Sequence, residues 1–268
     1  MSKKVAIAGM GWLGLSLARH LKTLGYKVKG SVTSEEKAEA LRKSGFQAIT
    51  IVVTEGGVSG PVELLLEDAD YLVIMIPPGL RRHSGADHVL KMSYLLSEVE
   101  RSSVQNVILV SSTSVYGDKQ GKVTEKEIPR PETQAGKQLL QVEQLFFTSE
   151  KIKTTIVRFG GLFGGSRQPV RYLAGRTDLS NGDAPVNLIH RSDCIGILTE
   201  IIKQQAFGHI FNAVLPSHPS KREYYVKVAS QLDMVPPQYS AGNSEEMFKQ
   251  VDSVNISEVL NYTFKHNL

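Results

Sequence analysis

The chain has 268 residues, 41% of them hydrophobic and 22% charged, a balance that excludes a disordered chain and leaves room for one large core or a core plus a smaller lobe. Its formal charge of +4 suits an anionic ligand, and without a basic block or an aromatic-interleaved basic stripe no nucleic-acid partner is expected. A single cysteine, Cys194, excludes an intrachain disulfide or a cysteine-based metal framework; with no membrane-length apolar run and a strand almost at the first residue, no membrane partner is expected and the compartment reads as cytoplasmic.

The first element is Val5-Ala6-Ile7-Ala8, an apolar run of strand type that stops at Gly9. Helical periodicity begins directly after it, at Leu13, Leu17, Leu21 and Leu24. Between the two lies G-x-G-x-x-G, made by Gly9, Gly11 and Gly14. In such a crossover the first glycine makes the tight turn and the second keeps the backbone open to a pyrophosphate. The third lets the helix pack close to the strand. The helix start then offers unpaired N–H groups to phosphates. Strand before and helix after, the motif predicts a dinucleotide site, with Trp12 and Leu13 inside it.

Residues 26–32 read as a second strand, and Ser34 is placed to cap a helix over 35–44 whose first turn holds Glu35 and Glu36. Residues 46–53 read as a third strand. Residues 70–76 form a fourth, halted by Pro77-Pro78-Gly79, with Pro77 expected beside the cofactor. A helix over 87–101, a fifth strand over 106–112, a helix over 131–147 and a sixth strand over 153–159 follow. The fifth strand is so continuously apolar that both its faces should be covered. Beyond about residue 160, Gly, Pro and Arg accumulate, and strand-like pieces over 186–190 and 210–214 come with further helical stretches. The expected architecture is α/β: a Rossmann-type doubly wound parallel sheet over 1–160 and a smaller C-terminal α/β substrate lobe over 161–268, with strands free to cross between the two.

A dinucleotide fold usually ends its second strand with Asp or Glu to hold the ribose hydroxyl of NAD. Here that position falls near Val32, among Ser31, Thr33 and Ser34, and none is acidic. The missing carboxylate removes the repulsion against a 2′-phosphate, and Thr33 and Ser34 can hydrogen-bond one. NADP is therefore favoured over NAD, although no arginine sits there to pair with the phosphate.

The segment Val110-Ser111-Ser112-Thr113-Ser114-Val115-Tyr116-Gly117 closes the fifth strand and resembles a signature of the extended short-chain dehydrogenase/reductase family, which includes nucleotide-sugar epimerases, dehydratases and reductases. The resemblance puts the family's substrate-bonding serine on Ser112. It then looks for Tyr-x-x-x-Lys at the start of the next helix, where the lysine holds the nicotinamide ribose and tunes the tyrosine for proton transfer. Lys137 matches that lysine, as a catalytic and cofactor-binding residue, and the tyrosine position falls on Thr133. A phenol ionises near ~10 before tuning and an aliphatic hydroxyl far higher, so Thr133 can orient a ligand but not act as general acid or base. The whole chain resembles a YeeZ-like atypical branch of the family in which this tyrosine is also absent. The resemblance runs through the glycine loop, Arg81-Arg82, residues 111–118 and 161–177, Pro185 to Asp193, and Gly208 to Asn212.

If chemistry survives that loss, three residues offer a proton. Tyr116 lies beside the expected nicotinamide, or serves as an aromatic lid. His83 follows the fourth strand, or is a solvated loop histidine. His190, near Asp193, comes from the second lobe, where the family's matching segment mainly ties the lobes together. Arg81, Arg82, Arg167, Arg171 and Arg176 fall on the expected cleft side and suit a phosphate or carboxylate, so the expected substrate is an anionic small molecule such as a sugar nucleotide, with Arg81, Arg167, Arg171 and His190 as its contacts. No metal-ligand spacing occurs. Two functions remain open: an NAD(P)-dependent epimerase, dehydratase or reductase, and a non-catalytic NAD(P)-binding sensor. The resemblance also implies a homodimer, paired through the helices over 87–101 and 131–147.

Overall fold

Strand β1 (Lys4–Ala8) buries Val5, Ala6, Ile7 and Ala8 in succession, as a strand covered on both faces must. Helix α1 (Trp12–Thr23) turns Leu13, Leu17, Ala18 and Leu21 inward at helical spacing. Then come β2 (Lys27–Val32), α2 (Glu35–Lys43) and β3 (Gln47–Thr50), a hairpin of β4 (Val52–Thr54) and β5 (Gly57–Ser59), a short α3 (Val62–Leu66), and β6 (Tyr71–Ile74). The alternation continues with α4 (His88–Arg101), β7 (Asn106–Ser112), β8 (Gly121–Val123), α5 (Gln134–Phe147) and β9 (Lys153–Phe159). The last third holds β10 (Gly161–Phe163), β11 (Leu188–His190), α6 (Arg191–Gln204), β12 (Ile210–Ala213), α7 (Lys221–Gln231), β13 (Lys249–Val251) and α8 (Asn255–Glu258). These elements come from a computed structural model that describes residues 2–79, 85–240 and 248–268.

Seven parallel strands form one sheet in the order β12-β9-β7-β6-β1-β2-β3, the doubly wound sheet expected from the sequence. The pleat divides the core in two. Val5, Ile7, Val73 and Val157 face one layer with Leu17 and Leu21 of α1 and Ile197 and Ile201 of α6. Ala6, Ala8, Leu72 and Ile74 face the other with Leu95 and Val99 of α4 and Val142 and Phe146 of α5. From β1 the chain runs outward to β2 and β3, then returns to β1's other side at β6. That reversal opens a crevice beyond the C-terminal ends of β1 and β6, where ligands of such sheets bind.

One element differs from its expected form. The strand expected over 46–53 ends at Thr50, and Val52–Thr54 folds back on Gly57–Ser59. Gly60 packs its α-carbon on the Thr50 carbonyl, where a side chain would collide. The strand expected over 210–214 is one that crosses to the main sheet: Ile210–Ala213 pairs with β9, and Phe211 and Ala213 complete the layer under α6. The chain thus leaves the sheet after Phe159 and re-enters it at Ile210. No described helix is long and apolar enough to cross a membrane.

Candidate functional site

A cavity of about 330 Å³ lies at the reversal point. The glycine crossover forms one wall, Met75 to Pro78 after β6 the floor, and Ser111, Ser112 and Leu139 the opposite wall. Gly9, Gly11, Trp12, Leu13, Gly14, Pro77, Ser112 and Arg167, all anticipated from sequence, meet here.

The crossover fits a dinucleotide on its own geometry. Gly9 sits at φ +108°, which L side chains rarely adopt, and a Cβ at Gly14 would run into the Gly9 carbonyl. At Gly11 a Cβ would meet nothing, so this stretch of backbone lies bare on the open side. The first intrahelical bond runs from the Leu15 N–H to the Gly11 carbonyl. The amides of Trp12, Leu13 and Gly14 therefore have no partner within the helix. No acidic residue occupies the first turn to compete for them. A bound dinucleotide would rest its phosphates on these amides and supply the redox chemistry of its nicotinamide.

At the end of β2 the Ser31 hydroxyl accepts from the Gly9 N–H at 3.2 Å, tying the crossover to its neighbour strand. Thr33 is exposed and neither it nor Ser34 lines the cavity. Ser34 stands at the N-cap of α2 as expected, but its side chain makes no capping bond. Glu35 spends its carboxylate on Arg42 and on the Thr50 hydroxyl at 2.6 Å, and the Thr50 bond, with Arg42 behind it, holds the carboxyl below its usual range.

On the opposite wall two anticipated residues stand apart from this cavity. Lys137 is exposed and is not among the residues that line this cavity; the α5 residue that does line it is Leu139, 8% exposed. Two positions along a helix are a rotation of about 200°, so the two side chains leave opposite sides of α5. On Leu139's face the position one turn earlier is Ala135, so neither partner of a phenol–lysine pair stands there. Thr133 is the N-cap of α5: its Oγ1 accepts from the Gly136 N–H at 3.1 Å, which fixes the hydroxyl at the start of the helix. Gly136 lets α5 press against the Ser114 carbonyl, where a Cβ would collide. Ser112 does face the cavity, its Oγ accepting from the Ser114 N–H at 3.2 Å and its O–H left to donate.

Tyr116 also stands apart from the cavity lining. It is 1% exposed, turned away from the cleft into a core with Val115, Val123, Leu139 and Val251. Arg158 donates to its oxygen at 2.6 Å, and its O–H reaches the Thr124 carbonyl at 2.9 Å and Asn212 Oδ1 at 3.2 Å. Burial pushes the phenol above its ordinary pKa. Arg158 in turn is paired through two nitrogens with Glu143, at 2.7 Å from Nη2, and Ser111 donates to the same carboxylate at 2.5 Å. These fully buried charges lock β7, α5 and β9 together behind the cavity wall. Sequence reading missed Glu143, Arg158 and Leu139; the apolar stripe Leu139, Val142, Phe146 was the available signal.

Among the arginines, Arg167 lines the cavity, and Arg171 is exposed on the turn over Pro169–Tyr172. Arg81, Arg82 and His83 lie outside the described residues.

A comparison with protein families matches residues 9–204 to the family described as NAD(P)H-binding. The chain belongs to that family. Within it, the chain is similar to Protein YeeZ of Escherichia coli, 34% identical over 267 residues that cover 98% of this chain and 96% of that one. An uncharacterized UDP-glucose epimerase of Bacillus subtilis, YtcB, is 24% identical over 68% of this chain and 63% of its own. Among solved structures, UDP-N-acetylglucosamine 4-epimerase from Bacillus cereus superposes with a TM-score of 0.79 at 18% identity, covering 99% of this chain and 95% of that one. MoeE5, solved with UDP-glucuronic acid and NAD, gives 0.78 at 18% identity over 99% and 95%. The chain is thus a YeeZ-like NAD(P)H-binding protein.

In this family member His190 caps α6, its Nδ1 accepting from the Ser192 N–H at 3.2 Å, while its ring stacks on His266 at 3.7 Å between centroids. Burial and then His266 hold its pKa below the usual value. His190, Asp193 and His266 bring potential metal-ligand atoms within 4.8 Å of one another. Both carboxylate oxygens of buried Asp193 are already engaged, by Tyr262, the Lys265 N–H and His266. The cluster ties the C-terminal residues to α6. Cys194, next to it, is fully buried, and burial raises its thiol pKa well above the usual value.

Proposed function

We propose that this chain binds a nicotinamide dinucleotide over the glycine crossover and an anionic small molecule of sugar-nucleotide type beside it, without the Ser–Tyr–Lys proton relay. One observation carries the reading: the cavity wall opposite the crossover offers the Ser112 hydroxyl next to Leu139, and no described lining side chain titrates near neutral pH. Ser112 then positions a ligand oxygen by hydrogen bonding, and Leu139 gives the nicotinamide an apolar surface. MoeE5's UDP-glucuronic acid and NAD support the choice of ligand classes, as do the arginines Arg167, Arg171 and Arg176 on the lobe. NADP is preferred to NAD, because the end of β2 carries hydroxyls and the nearest carboxylate, Glu35, is already paired. This reading makes the protein a binder or sensor of cofactor state.

The second reading, turnover of a hydroxyl or carbonyl as in an epimerase, dehydratase or reductase, is favoured by one feature, the Ser112 hydroxyl open to the cavity. Titration calorimetry with oxidised and reduced NAD and NADP, followed by absorbance of the bound nicotinamide on adding UDP-sugars, separates them. Saturable binding, tighter for NADP, with no change in redox state is expected. Stoichiometric reduction or oxidation of the bound cofactor establishes the enzyme, and tighter NAD binding reverses the cofactor preference. A homodimer through α4 and α5 belongs to the same proposal, since Leu90, Tyr94 and Phe147 expose apolar surface there. Sedimentation of Tyr94→Glu as a monomer beside a dimeric wild type tests it; identical sedimentation removes it.

A further inference from the structure

Trp12 is the chain's only tryptophan, and it begins α1 directly after the bare backbone of Gly11. Two guanidiniums lie against its ring, Arg167 at 5.6 Å and Arg191 at 5.1 Å from the centroid. Both are within cation–π range. They arrive from different elements, one from the loop after β10 and the other from the first residue of α6. The indole Nε1–H has no acceptor among the described residues, so stacking and packing alone hold the ring. Gly165, at φ +59°, brings the loop onto Arg191, whose Nη2 would lie 3.0 Å from a Cβ there.

Charge adds to the stack. Among the described residues Arg167 and Arg191 have no carboxylate partner, and neither do Arg19, Arg130, Arg171 and Arg176, but these two lie on one aromatic ring. The two cations crowd the positive end of α1, whose first turn lacks an acidic residue. Such crowding is unfavourable by itself and is relieved by an anion that carries more than one charge. Arg167 also borders the cavity beside Gly11 and the free amides of α1. Its planar fork matches two phosphoryl oxygens at once.

We propose that Arg167, seated on Trp12, is the diphosphate-binding arginine of this cleft, closing the dinucleotide's diphosphate against the first amides of α1, and that Arg191 is a positioning residue that holds the indole. The proposal rests on the dinucleotide reading and moves Arg167 from the substrate to the cofactor. A sugar nucleotide carries the same diphosphate chemistry, so the test must distinguish the two sources.

The lone tryptophan makes its emission a reporter of this site alone. The full chain is titrated with NADP, ADP-ribose, adenosine, UDP-glucose and inorganic diphosphate, as wild type, Arg167→Gln, Arg167→Lys, Arg191→Gln and Arg191→Lys. Arg167 is exposed and Arg191 only half-buried, so the variants fold. Arg167→Gln is expected to weaken NADP and ADP-ribose about tenfold or more, the scale of a lost charge-assisted hydrogen bond, and to leave adenosine and UDP-glucose unchanged. Arg167→Lys recovers part of the loss. Arg191→Gln shifts the emission of unliganded Trp12 and weakens NADP by a few-fold, and Arg191→Lys restores both.

Wild-type affinity of Arg167→Gln for NADP and ADP-ribose overturns the proposal. So does a loss confined to UDP-glucose, which returns the arginine to the substrate. A wild type that binds no dinucleotide sinks the dinucleotide reading instead. In that case inorganic diphosphate decides for the arginine: no Trp12 response, or one unaffected by Arg167→Gln, ends its role too.

Discussion

The wall that β1 and α1 give the cleft is made of backbone: bare Gly11, three amides with no partner within the helix, and glycines whose side chains would collide with carbonyls. The wall from β7 and α5 is made of side chains, and behind it stand the buried pair Glu143–Arg158 and the phenol of Tyr116. The first is shaped to receive a phosphate. The second is shaped to stay still, and its one cavity-facing helical residue is a leucine. The contrast separates two properties that a dinucleotide fold usually combines: a place for the cofactor and a relay for protons. Only the first can be read from this cleft.

The largest effect is expected on the rigid wall. Glu143→Gln leaves Arg158 charged and 3% exposed, and should cost about 3–5 kcal/mol in urea unfolding. A cost under about 1 kcal/mol would mean that the pair does not brace this wall. Next comes the pH dependence of the α4–α5 seam. His88 is buried, and burial lowers its pKa to about 4. Its folded value lies below the unfolded one, so the unfolded chain binds the extra proton between those values. Stability is full above the unfolded pKa and falls as pH drops towards the folded one. Between pH 7 and pH 5 this residue should remove about 2 kcal/mol, and His88→Phe should flatten that slope. An unchanged slope in the variant contradicts the assignment. On the backbone wall, Gly14→Val must push the helix off Gly9 and should cost about 1–3 kcal/mol together with measurable dinucleotide binding. Normal binding by Gly14→Val would show that the close helix–strand approach is not what shapes the site.

The backbone wall was legible in sequence because glycine turns and apolar runs are local signals: a strand that stops at Gly9 and a helix that starts after Gly11 need no knowledge of the rest of the chain. The sheet followed from the same alternation, except where pairing is long-range. Nothing around Ile210 announces that its partner is Ile156. The side-chain wall was harder for a definite reason. Matching Thr133 and Lys137 to a tyrosine–lysine pattern assumes which face of α5 looks into the cleft, and that face is set by packing. Leu139, Val142, Glu143 and Phe146 form the buried face, and Lys137 lies off it. The placement of Tyr116 was not legible because it depends on Arg158, a charge buried by a carboxylate 15 residues away on another element.

Calorimetric titration of NADPH into Lys137→Met and Leu139→Arg tests most directly which side of α5 meets the cofactor. Leu139→Arg fills the cavity and is expected to weaken binding at least about tenfold, while Lys137→Met stays within about twofold of wild type. Weak binding by Lys137→Met beside near-normal binding by Leu139→Arg would contradict the account, and would restore the lysine to the cleft.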